Sequence, residues 1–97
     1  MNITYEKFKS GQVSIQFSGD MTENNCEKIA SIIDDMVCVL AGGDVKLDMS
    51  EVFLLEPTGV EAIYYLFNRL ESQNRSLDII GLNSQPSEAL SPLKLAS

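Results

Sequence analysis

Histidine is absent from this chain of 97 residues. Its absence removes histidine-dependent catalytic triads, most zinc sites and the usual general base at neutral pH. Cationic side chains are also scarce: seven Lys and Arg stand against fourteen Asp and Glu, giving a net charge of −7. The seven, Lys7, Lys9, Lys28, Lys46, Arg69, Arg75 and Lys94, are scattered singly. No basic stripe therefore offers a footprint for nucleic acid or an anionic membrane. Long apolar runs are missing as well. None approaches the ~18 residues that a membrane span needs, and the opening "MNITYEKFKS" has neither a basic leader nor an apolar signal core. A soluble, cytoplasmic protein is expected. Cysteine is limited to Cys26 and Cys38. In a single predicted helix these would sit about 18 Å apart along the axis, far beyond the ~7 Å between Cα atoms that a disulfide tolerates. Both are read as small core residues kept reduced.

What is present is apolar character at 44% of positions, enough for one domain over 1–97 that buries roughly 60 to 70% of the surface its unfolded chain exposes. Ile3 to Phe8 and Gln12 to Phe17 flank "KSG", and Val13, Ile15 and Phe17 alternate with polar neighbours, which predicts a hairpin of two strands. Thr22 and Asn25 form a partial capping box before a helix carrying Cys26, Ile29, Ile33, Met36, Val37 and Leu40, which Gly42 or Gly43 would end. A third strand follows over Val45 to Met49, then an irregular connection or short extension over Val52 to Leu55. A second helix from near Thr58 shows Val60, Ile63, Tyr64, Phe67 and Leu70 at helical spacing. "LDIIGL" reads as a strand covered on both faces. The tail has room for a short helix from Ser87 to Ser91, ahead of Pro92. The predicted class is α/β, order β-β-α-β-α-β-α, with helices on a mixed sheet of four or five strands.

Few groupings promise chemistry. Asp48, Glu51 and Glu56 could in principle hold Mg²⁺ or move protons, but no nucleophile or phosphate-cradling loop accompanies them, and a solvated rim explains them. "GGD" at 42 to 44 lacks the lysine and length of a P-loop. Tyr64 and Tyr65 point about 100° apart on a helix, which assigns Tyr64 to the core and leaves Tyr65 for a partner. In "EPTGVE", Thr58 and Glu61 have the spacing of a capping box. A hydroxyl at a helix N-terminus is also an apt place for a phosphate. The high frequency of capping boxes favours the cap at Thr58; Pro57, with φ fixed at about −65°, would suit the first helical position if Glu56 were the N-cap instead, two residues earlier.

The stretch "VKLDMSEVFLLEPTGVEAIYYLFNRLESQNRSLDIIGLN" resembles the STAS domain, the sulfate-transporter and anti-sigma-factor-antagonist family. That family's pattern is a strand, D-S/T-x-V, an apolar pair, D-S-S/T-G, a helix and an apolar strand ending in GL. Asp48 and Ser50 match its first motif, Gly59 its central glycine and Gly81 its last, and "VSIQFSGDMTENNCEKIASII" is similar to the family's second strand, turn and first helix. There is one departure. The phosphorylated hydroxyl normally follows the acid directly, and here Glu56 is followed by Pro57; Thr58 occupies the next hydroxyl position.

The resemblance implies a protein-binding regulator without catalysis or cofactor, with phosphorylation absent or displaced to Thr58. Its partner would be a histidine-kinase-like anti-sigma factor. The alternative is a transporter ATPase, gripped by a cytoplasmic STAS subunit of an ABC-type lipid transporter. Asp20, Ser50, Glu56, Pro57, Thr58, Gly59, Glu61 and Tyr65 would form the partner surface, on a monomer or weak homodimer that binds no nucleic acid and inserts in no membrane.

Overall fold

The computed structural model describes residues 2–24, 29–39 and 43–90, apart from the side chains of Ala30 and Val39. The expectations for Asn25, Cys26, Leu40, Gly42, Ser91 and Pro92 lie outside the described residues. Seven elements follow in the order expected: β1 (Asn2–Lys7), β2 (Val13–Ser18), α1 (Ile29–Val39), β3 (Val45–Glu51), α2 (Pro57–Glu71), β4 (Leu77–Ile80) and α3 (Ser84–Leu90).

The strands form one sheet in the order β1-β2-β3-β4. The first pair is an antiparallel hairpin, closed by Phe8 N–H to the Gln12 carbonyl at 2.8 Å and Gly11 N–H to the Phe8 carbonyl at 3.0 Å. Gly11 supplies the left-handed backbone of the turn, at φ 92°. The other two pairings are parallel because a helix intervenes each time, and they stack Ile15, Leu47 and Ile79 in register. These three join Val13, Phe17, Val45, Met49 and Leu77 under Ile33, Met36 and Val37 of α1 and Ala62, Ile63, Leu66 and Leu70 of α2.

Four sequence expectations change here: Cys38, read as a small core residue, lies on the exposed side of α1, and the other three concern β4, α2 and α3. β4 is not covered on both faces: Leu77 and Ile79 are buried, whereas Asp78 and Ile80 are exposed. Ser14 and Gln16 of β2 and Lys46 and Asp48 of β3, on that same face, are only half-buried. The helices thus cover one face of the sheet. Within α2 the buried stripe runs through Gly59, Ala62, Ile63, Leu66 and Leu70, so Tyr64 is exposed rather than part of the core. α3 begins three residues earlier than Ser87, with Ser87 N–H bonded to the Asn83 carbonyl at 2.9 Å. Pro86 is tolerated because a first-turn residue has no use for its N–H. No described helix is long and apolar enough to cross a membrane.

Candidate functional site

At the carboxyl ends of the parallel strands, the segments after β2 and β3 clasp each other. Gly19 N–H meets the Glu51 carbonyl (3.1 Å), Met21 N–H the Leu54 carbonyl (2.9 Å) and Glu56 N–H the Met21 carbonyl (3.0 Å). Met21 and Leu55 form a parallel bridge. The Val52 to Leu55 stretch is therefore a short extension at the end of the sheet. From the other side, the Gln85 amide brackets Leu55, its oxygen accepting from Leu55 N–H (2.7 Å) and its nitrogen donating to the Leu55 carbonyl (2.9 Å). Asn83 Nδ2 donates to the carbonyls of Ser50 (3.1 Å) and Val52 (2.8 Å). These amides fill the place of a neighbouring strand and satisfy backbone groups that a loop would otherwise strand.

The start of α2 corrects the capping box. Glu56 is the N-cap, with extended backbone at φ −83° and ψ 167°, and Pro57 is the first helical residue. The Glu56 carbonyl accepts from Gly59 N–H (2.8 Å) and Val60 N–H (3.0 Å). Proline decides this: its fixed φ and missing N–H suit the first helical position and move the start ahead of Thr58. Glu56 makes no side-chain cap; its Oε1 accepts from Glu23 N–H at 3.0 Å and ties the loop after β2 to the helix. Thr58 Oγ1 is buried with no hydrogen-bond partner, while Pro57 faces solvent. Gly59 is needed for space. A Cβ there would lie 2.5 Å from Leu55 Cδ1 and 2.8 Å from Met21 Cβ.

Beneath this clasp, Asp48 Oδ1 accepts from Ser50 N–H at 2.9 Å. That amide, followed by the Ser50 hydroxyl, holds the Asp48 carboxyl below its ordinary range. Gly81 sits against the pair at φ 72°, and a Cβ on it would come within 2.9 Å of Ser50 Cβ and 3.1 Å of Asp48 Oδ1. The three acids are not one site, since Asp48 serves Ser50 and Glu56 serves Glu23. Among the described residues no group of three or more acids or cysteines is placed to hold a metal ion.

Of the predicted surface residues, Asp20 and Ser50 are exposed near the clasp, and Glu61 lies on the open side of α2. Glu61 joins Leu55, Pro57, Val60, Tyr64 and Ala89 around an open groove of about 440 Å³ between α2 and α3. Tyr65 stands apart from this group. Its hydroxyl donates to Asp34 Oδ1 on α1 at 2.6 Å, and that bond raises the pKa of the phenol. Sequence reasoning missed the two most telling apolar groups: Phe53 is 63% and Leu54 37% exposed. Their signal was a run of four apolar residues in a connection too short to bury all of them.

No protein-family model matches the sequence, and no curated protein matches it. Solved structures do. A putative anti-sigma factor antagonist from Thermotoga maritima superposes with a TM-score of 0.82 at 14% identity, covering 96% of this chain and 79% of that one. The Bacillus cell fate determinant SpoIIAA, in its phosphorylated form, gives 0.75 at 15%, covering 97% and 85%. An antisigma-factor antagonist STAS domain from Rhodobacter sphaeroides gives 0.70 at 18%, covering 91% and 92%. The chain has the STAS fold.

Proposed function

We propose that this protein is a non-catalytic binding regulator of the anti-sigma-factor-antagonist kind whose docking does not depend on phosphorylation at the start of α2. One observation carries the reading: the clasped end turns Phe53, Leu54 and Pro57 to solvent, while the sole hydroxyl of that turn, on Thr58, is buried. Apolar side chains held on a braced loop are suited to a protein partner. A kinase would have to pull Thr58 out of its packing to reach it. The carboxyl ends of parallel strands are also where open α/β sheets generally place their binding sites. The partner on this reading is a histidine-kinase-like ATPase.

Titration calorimetry with such an ATPase tests it. Phe53→Ser is expected to weaken binding about tenfold or more, with folding stability changed by no more than about 0.5 kcal/mol. Phosphate mapped to Thr58 after incubation with ATP would overturn the phosphorylation-independent reading. Pro57→Ser is the complementary change, expected to create an acceptor for the same kinase. Pro57 favours a second reading as well, a STAS subunit gripping a transporter ATPase, because such a subunit needs no acceptor there. Recovery of a transporter ATPase in place of a soluble kinase on co-purification would select it.

A further inference from the structure

Among the described residues β1 is an edge strand, hydrogen-bonded to β2 on one side only. Because Phe8 N–H points inward to the Gln12 carbonyl, strand alternation turns the backbone groups of Glu6, Thr4 and Asn2 toward β2 and those of Ile3 and Tyr5 outward. The outward groups sit beside apolar surface. Tyr5 is 56% and Ile32 of α1 40% exposed, and the two line an open groove of about 170 Å³ on the helix-covered side of the sheet. The opposite edge, β4, is four residues long against six for β1. Edges are commonly protected by proline, brevity or an inward charge; β1 has no proline, and its charges, Glu6 and Lys7, are confined to its last two positions.

We propose that the outer edge of β1 pairs antiparallel with β1 of a second copy of this chain, about a two-fold axis through Thr4. This goes beyond the docking reading and uses a different part of the molecule. A continuous sheet with both helical layers on the same side requires the axis to pass through a residue, since a half-step would oppose residues from opposite faces. With the axis on Thr4, Ile3 lies opposite Tyr5 of the second copy, Thr4 opposite its equivalent, and Asn2 opposite Glu6. An aromatic group meets a β-branched one, and no two like charges are opposed. Moving the axis to Tyr5 would set the two Glu6 side chains diagonally against each other. The chosen register forms about four backbone hydrogen bonds and covers Tyr5 from both copies. The contact area of two short strands is small, so association is weak and concentration-dependent.

Sedimentation velocity over a concentration series, with disulfide trapping, tests the proposal. In the Thr4-centred register the two Thr4 residues form a non-hydrogen-bonded pair with Cα atoms about 4.5 Å apart, inside the range of a disulfide. In a background carrying Cys26→Ser and Cys38→Ser, Thr4→Cys is expected to oxidise readily to a covalent dimer and Glu6→Cys far more slowly. Tyr5→Pro removes an outward N–H without touching a bond to β2. It is expected to weaken self-association about thirtyfold while circular dichroism shows the fold retained. If Tyr5→Pro does not fold, Tyr5→Lys, which leaves the backbone intact and brings like charges together across the axis, replaces it with the same expected direction. A chain that stays monomeric throughout the series, equal trapping at Thr4 and Glu6, or association indifferent to the Tyr5 change would each overturn the proposal.

Discussion

The two ends of the parallel strands are built on opposite terms. Where β2, β3 and β4 begin, polar groups are matched: Arg75, 8% exposed, donates from Nε to the Gly43 carbonyl (2.8 Å) and from Nη1 to Gln73 Oε1 (3.1 Å). Asp44 accepts from Ser76 N–H (3.1 Å), and Gly43 N–H reaches the Gly11 carbonyl (3.0 Å). Where the strands end, the backbone is equally well matched, yet Phe53, Leu54 and Pro57 are left in solvent and the Thr58 hydroxyl is left without a partner. Among the described residues, the first end is complete in its polar groups, which are met within the chain, although Phe8 of the hairpin is exposed there. The second is hydrogen-bonded through its backbone but leaves apolar side chains exposed, which is the feature the proposed docking reading uses. The substitutions that follow probe whether the backbone bonding and the exposed side chains can be separated.

The largest effect is expected at Gly59. Any side chain there must displace Leu55 and Met21 together, the two residues that bridge the loops. Gly59→Val is expected to destabilise the fold by about 3 kcal/mol, read from the urea midpoint, and to loosen the clasp along with it. Next comes the complete end. Arg75→Ala leaves the Gly43 carbonyl and the Gln73 amide without their donor and should cost about 2 kcal/mol, while binding at the Phe53 end is unchanged for the folded fraction. Equal damage to binding would mean that the two ends are not independent.

The element order and hairpin were legible because alternation in Val13 to Phe17 and Val45 to Met49, and three- and four-residue steps through Ile29 to Val37, report burial directly. Motif spacing favours a cap at Thr58 because it carries no information on which residue the backbone takes as first in the helix; the alternative that Pro57 offers through its fixed φ, with Glu56 as N-cap, is the one the structure adopts. β4 was misread because Ile79 and Ile80 look alike as letters although only Ile79 faces the helices. Tyr64 was assigned to the core because it shares a helical spacing with Val60, but the buried stripe is centred one position away, on Ile63 and Leu66. Asn83 and Gln85 were invisible as site residues: their partners lie about thirty positions back in sequence, and no local pattern encodes a side chain that stands in for a strand.

A smaller effect, of opposite sign, distinguishes the cap from the buried hydroxyl. Were Thr58 the N-cap, replacing it by valine would cost about 1 kcal/mol. In the observed geometry the hydroxyl is desolvated without compensation, and valine keeps its shape with a similar helix propensity. Thr58→Val should therefore leave stability unchanged or raise it by up to about 1 kcal/mol. Thermal unfolding of the two proteins side by side reads the sign.

The smallest expected effect concerns pH and the Asp48–Ser50 pair. The Ser50 amide, with its hydroxyl second, holds the folded-state pKa of Asp48 below 3.8, and the Ser76 amide does the same for Asp44 at the complete end. A carboxylate whose pKa is depressed on folding contributes stability that is fully present above the unfolded value and lost as the pH falls through the folded one. Both aspartates are largely solvated, so each contribution is modest. Asp48→Asn should lower the urea midpoint slightly at pH 7, and the gap to the parent chain should close as the pH falls below about 4. Asp44→Asn should behave alike in stability, but only Asp48 underlies the clasp. Loss of partner affinity at neutral pH in the Asp48 variant, and not in the Asp44 variant, would show that the turn closed by Ser50 sets the position of Phe53 and Leu54.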